Sequence, residues 1–107
     1  MKLLQLTTFW NGWVAGGFKD SLIKTNDMEV SIRRYSAGDS EKRHVHHIAI
    51  EFTIIVSGKV RMNGVEFFRD DIVVIEPGES TDFYAVSDAV TVCLKSPSLP
   101  GTDKVFV

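Results

Sequence analysis

The chain has 107 residues, enough for one domain with a modest core and too few for a second catalytic module. Its 12 basic and 14 acidic residues give a net charge of −2 and are scattered, so neither a nucleic-acid-binding stripe nor a cationic membrane helix is expected. No stretch reaches transmembrane length, the N-terminal apolar run is too short for a secretory signal, and Cys93 is the only cysteine, which points to a cytoplasmic protein without an intrachain disulfide.

Residues 1–27 read as an irregular arm in which Trp10, Trp13 and Phe18 are interrupted by Asn11, Gly12, Gly16 and Gly17. Those aromatics either cover one end of a small core, close the mouth of a cavity or cross to a second subunit. From residue 28 to 95, short runs rich in Val, Ile, Phe and Tyr alternate with turn signals, the rhythm of an all-β sandwich or barrel. Strands are expected at Met28 to Tyr35, Ala49 to Ser57, Lys59 to Met62, Val65 to Phe68, Ile72 to Ile75, Asp82 to Val86 and Ala89 to Lys95. Asn63-Gly64 supplies the two positive φ angles of a type I′ turn and so predicts a hairpin. The prolines of Ser96 to Gly101 exclude a central strand there, and the apolar end, Lys104 to Val107, is expected to dock as a last short strand against the N-terminal arm.

Side-chain alternation assigns faces within these strands. Glu29, Ser31, Arg33 and Tyr35 share one face and Arg34 lies on the other, so one arginine points each way. An inward arginine could grip a carboxylate or phosphate. Glu51, Thr53 and Ser57 share a face, and if Glu51 is inward the other two line the same lumen. Cys93, set among Val90, Val92 and Leu94, reads as a core thiol. Tyr84 is a candidate general acid or ligand-orienting residue.

The chemistry concentrates at His44, His46 and Glu51. Two imidazoles and a carboxylate suit a divalent first-row metal with open positions remaining. On a strand, His44 and His46 face the same way and His47 the opposite way. Glu51 has the wrong parity to join them on one unbroken strand, so a kink is required near residues 47–50.

Gly38, His44, His46, Glu51 and Gly58, in the spacing Gly-x5-His-x-His-x4-Glu-x6-Gly, resemble the first motif of the cupin superfamily. The resemblance implies a single all-β domain over residues 1–107, an antiparallel sandwich or jelly-roll barrel, with a divalent metal (Fe, Mn, Ni or Zn) in the lumen. It also implies a small-molecule ligand and a homodimer. Small cupins include isomerases, epimerases, lyases and dioxygenases acting on sugars or keto acids, and others that bind a ligand without chemistry. The second motif is degenerate: only Gly78 stays in register, Thr81 stands where the family has its further histidine ligand, and Ala85 replaces an asparagine. Asp82 is the neighbouring residue that could supply a replacement oxygen, and Glu51 would be the general base if no metal is held.

Overall fold

The computed structural model describes all 107 residues. Two sheets face each other. The first contains, in spatial order, β2 (Ile23–Lys24), β1 (Trp13–Gly16), β3 (Glu29–Tyr35), β10 (Ala89–Ser96), β5 (Ile50–Ser57) and β8 (Ile72–Ile75). The second contains β11 (Lys104–Phe106), β4 (Ser40–His46), β9 (Ser80–Ala85), β6 (Lys59–Met62) and β7 (Val65–Phe68). Every pairing is antiparallel except β1 with β2. The fold is therefore the expected all-β sandwich, and no helix is long and apolar enough to cross a membrane.

The turn chemistry behaves as the sequence dictates. Asn63 and Gly64 take φ of 51° and 76°, and Met62 pairs with Val65 across the hairpin. Gly58 has φ of 84°, and a Cβ there would lie 2.1 Å from the carbonyl oxygen of Asp88, so no larger residue fits.

Three elements depart from expectation. The arm is more regular than its composition suggests, since Trp13–Gly16 pairs with β3. β11 docks on β4, with Phe106 opposite His44, and not on the arm. Finally, β4 itself extends through Ser-Glu-Lys-Arg-His-Val-His, a run with a single β-branched residue, because its partners β9 and β11 supply the ladder that local propensity does not.

The sandwich interior has two unlike ends. At one, Ile55, Val60, Met62, Ile75, Phe83, Ala85 and Ala89 form the apolar core, with Tyr35, Phe67 and Val73 packed against it. At the other, the inner face of the six-stranded sheet carries cross-strand rows of polar groups. Glu29, Lys95 and Glu51 are adjacent in register across β3, β10 and β5, and Ser31, Cys93 and Thr53 form the next row. These groups line a cavity of about 550 Å³.

Candidate metal centre

His44 and His46 leave the end of β4 on its inner face, and both are buried. Glu51 sits at the start of β5, on the facing sheet, and is also buried. The parity conflict is thus resolved by a change of sheet: β4 ends at His46, His47 and Ile48 form an exposed bend, and β5 begins at Ile50. Asp103 clamps this crossing, its two carboxylate oxygens accepting from the amides of Ile48 (2.8 Å) and Ala49 (2.9 Å). Burial opposes charge on Asp103, but those amides and the adjacent His46 outweigh it and hold the carboxyl below its usual range.

The potential ligand atoms of His44, His46 and Glu51 all lie within 4.8 Å of one another. His44 Nδ1 is 3.0 Å from the carbonyl oxygen of Lys42, which can only accept, so the proton belongs on Nδ1 and the Nε2 lone pair is free. His46 Nε2 is buried with no hydrogen-bond partner, 3.6 Å from Glu51 Oε1. Its other nitrogen faces Asp103 at 3.8 Å. Burial, reinforced by the positive charge of Lys95, lowers the His46 pKa from 6.5 to about 4, so the imidazole is neutral at physiological pH. A neutral, buried, partnerless imidazole nitrogen aimed at a carboxylate and a second imidazole suits a divalent metal.

Thr81 fills the place opposite His44 on β9 and is buried. Asp82, the expected substitute ligand, borders the cavity, but its carboxylate accepts from the amide of Asn63 (2.7 Å) and pairs with Arg43 (3.3 Å). It is not one of the clustered groups, since alternation turns inward Thr81 and not Asp82. Tyr84 is likewise on the outer face of β9, 40% exposed, with the Arg61 guanidinium over its ring. The tyrosine that does line the cavity is Tyr35, its ring tilted 35° against that of Phe83, and burial together with the Glu41 charge raises its pKa, so its hydroxyl stays protonated.

Arg33 is the inward arginine and pairs with Glu41 at 3.3 Å, while Arg34 is exposed. Thr53 faces the lumen and donates to Glu51 Oε2 at 3.5 Å. Ser57 does not face it: a register shift between Val90 and Thr91 interrupts the alternation and leaves Ser57 exposed beside Val90. Cys93 also lines the cavity, where burial and the neighbouring Glu51 carboxylate push its thiol well up and keep it protonated. Lys95 and Glu29 were not legible as site residues from spacing alone. The signal was available in alternation, because Lys95 shares the face of Thr91 and Cys93. Trp10, Trp13 and Phe18 of the arm line the same cavity.

By sequence, no protein-family profile and no curated protein matches the chain. By structure, it is similar to an uncharacterised conserved protein with a double-stranded β-helix domain from Klebsiella pneumoniae, at 19% identity and a TM-score of 0.71, covering 80% of this chain and 75% of that one. An RmlC-like cupin from Shewanella frigidimarina superposes at 15% identity and a TM-score of 0.65, over 70% of each chain. The DMSP lyase DddQ from Ruegeria pomeroyi does so at 15% identity and a TM-score of 0.69, covering 89% of this chain but 49% of the lyase. With the two facing sheets and this topology, the chain has the double-stranded β-helix fold of the RmlC-like cupins.

Proposed function

We propose that the barrel holds one divalent metal (iron, manganese, nickel or zinc) on His44, His46 and Glu51, and acts there on a small polar metabolite of sugar- or keto-acid type. The reaction class is an isomerisation, epimerisation, elimination or dioxygenation, and the likeness to a DMSP lyase supports elimination as chemistry this fold can host. The single observation that carries the reading is the buried, partnerless Nε2 of His46, facing Glu51 and His44 at the wall of the cavity.

When bound, the metal would supply Lewis-acid polarisation of a substrate carbonyl or carboxylate. The chain's own groups do the rest. Thr53 orients Glu51, the protonated Tyr35 hydroxyl is available as a donor to a substrate oxygen, and Trp10 and Trp13 supply aromatic wall to the cavity.

The outer face of the six-stranded sheet supports a homodimer. Val30, Leu94, Phe52 and Val74 form one cross-strand row and Ile32, Val92, Ile54 and Ile72 the next, eight apolar residues without a charge. Nothing in the chain covers Ile72, which is 61% exposed, or Val74, and a second copy of the same face would. We place the protein in the cytoplasm, as a single domain, with its one thiol reduced.

A second reading, a metal-free barrel that binds a small ligand without chemistry, is favoured by the ammonium of Lys95, which already offsets the charge of Glu51 at 3.8 Å. Elemental analysis of protein purified without chelator separates the two. About one metal per subunit in the parent and none in a folded His44→Ala/His46→Ala variant supports the metal centre. Absence of metal in both, after anaerobic incubation with each candidate ion, favours the second reading.

A further inference from the structure

Two lysines line the lumen, and of these Lys95 shares a carboxylate with the metal cluster, whereas Lys104 is exposed with its ammonium over the Phe106 ring. Lys95 lies at the middle of the row Glu29, Lys95, Glu51, with Nζ 3.7 Å from Glu29 Oε1 and 3.8 Å from Glu51 Oε1, both beyond hydrogen-bond distance. The side chain is only 11% exposed, and the ring of Trp13 closes over Nζ at 4.9 Å. Glu29 is further committed, because its Oε2 accepts from Ser98 Oγ at 2.9 Å. The Lys95 ammonium therefore presents three donors at the cavity wall, with the two nearest carboxylate oxygens outside bonding reach. Glu51 Oε1 is also the atom 3.6 Å from His46 Nε2, so one oxygen is shared between the lysine and the metal cluster.

We infer that Lys95 is the anchor for a substrate carboxylate, and that metal and anion bind with positive coupling through Glu51. This rests on the metal-centre reading above. In the metal-free chain, Glu51 serves Lys95. Once Glu51 serves a metal, Lys95 keeps only Glu29 and stands beside a second positive charge, and an anion placed between the two would relieve that repulsion while accepting from the ammonium. An α-keto acid fits both partners, with its carboxylate for Lys95 and its carbonyl oxygen toward the metal cluster. Lys95 consequently also competes with the metal for Glu51 when no anion is present.

Calorimetric titration of zinc into the chelator-treated protein, with and without saturating pyruvate, tests the coupling. The parent is expected to bind zinc at least about fivefold more tightly with pyruvate present. Lys95→Met, checked for retained β structure by circular dichroism, should bind zinc alone at least as tightly as the parent and lose the pyruvate effect, and Lys95→Arg should restore the effect. Equal coupling in the parent and Lys95→Met would overturn the assignment, because pyruvate would then rest on the metal alone. Stoichiometric zinc binding without any pyruvate effect in the parent overturns it too and leaves the metal centre standing. No zinc binding by the parent removes the metal centre and this inference together.

Discussion

The two faces of the six-stranded sheet are opposite in character to those of an ordinary sandwich. Its inner face, along β3, β10 and β5, presents Glu29, Lys95, Glu51, Ser31, Cys93 and Thr53, whereas its outer face presents two rows of Val, Leu, Ile and Phe. Sandwiches normally bury apolar side chains between sheets and expose polar ones. Only the far end of this interior, around Ile55, Val60 and Phe83, keeps that rule. The inversion divides the chain's interior: one end is the apolar core, the other lines a cavity with charged and polar groups, and the apolar rows lie on the outer face.

That division has measurable consequences. Ile55 and Ile54 are neighbours on opposite faces, the first fully buried in the apolar core and the second on the outer rows. Ile55→Ala should cost about 3–4 kcal/mol of unfolding free energy in a denaturant titration, the range for a buried isoleucine whose site cannot collapse. Ile54→Ala should cost under about half of that in the monomer. Equal losses would mean that the outer face is as covered within one chain as the core is.

Acid should act on the polar end first. His46 is held neutral in the folded chain down to about pH 4, while in the unfolded chain it takes up a proton near 6.5. The unfolded state therefore binds the proton more readily, and the metal-free protein should be at full stability above pH 6.5 and lose it as pH falls toward 4. The loss is up to about 3 kcal/mol from this residue, by linkage. Thermal unfolding across that range in chelator, compared with His46→Gln, isolates the contribution, and an identical pH profile for the two proteins would remove it.

The outer face is tested by charge. Ile54→Asp puts a carboxylate between Val92 and Ile72. In a dimer built on this face it should weaken association by at least about 2 kcal/mol, roughly 30-fold, in sedimentation equilibrium, since a central interface residue would be left charged and unpaired. A dimer unaffected by this change would have to use another surface.

Much of this organisation was readable in the sequence because alternation and turn chemistry are local. The hairpin at Asn63-Gly64, the shared face of His44 and His46, and the break required before Glu51 all follow from backbone geometry that a few residues determine. What could not be read depends on contacts between distant segments. The kink was legible, but not that it carries the chain from one sheet to the other, nor that it is pinned by Asp103, 54 residues further on from Ala49. Asp82 and Tyr84 read as site residues because they sit in the degenerate second motif, yet the pairing of β9 with β4 and β6 puts Thr81 opposite His44, leaves Tyr84 on the outer face and leaves Asp82 at the cavity border with its carboxylate engaged by Asn63 and Arg43. Lys95 was hidden by composition, since a lysine at the end of a strand ordinarily reaches water.

Asp103 is the sharpest small probe of how the polar end is held. Its carboxylate accepts two amides at once, from Ile48 and Ala49, and stands 3.8 Å from His46 Nδ1. Asparagine preserves the shape but offers one acceptor oxygen and an NH2 group that can only donate, so the amide of Ile48 or of Ala49 would face a donor in place of its acceptor. Asp103→Asn should therefore cost about 1–2 kcal/mol of stability. It should also weaken metal binding by about tenfold, because the anion that orients the His46 ring is gone. Calorimetric metal titration and denaturant unfolding on the same sample read the two effects separately. A stability loss without any change in metal affinity would show that Asp103 secures the crossing between the sheets and leaves the His46 ring to be oriented by its packing against His44.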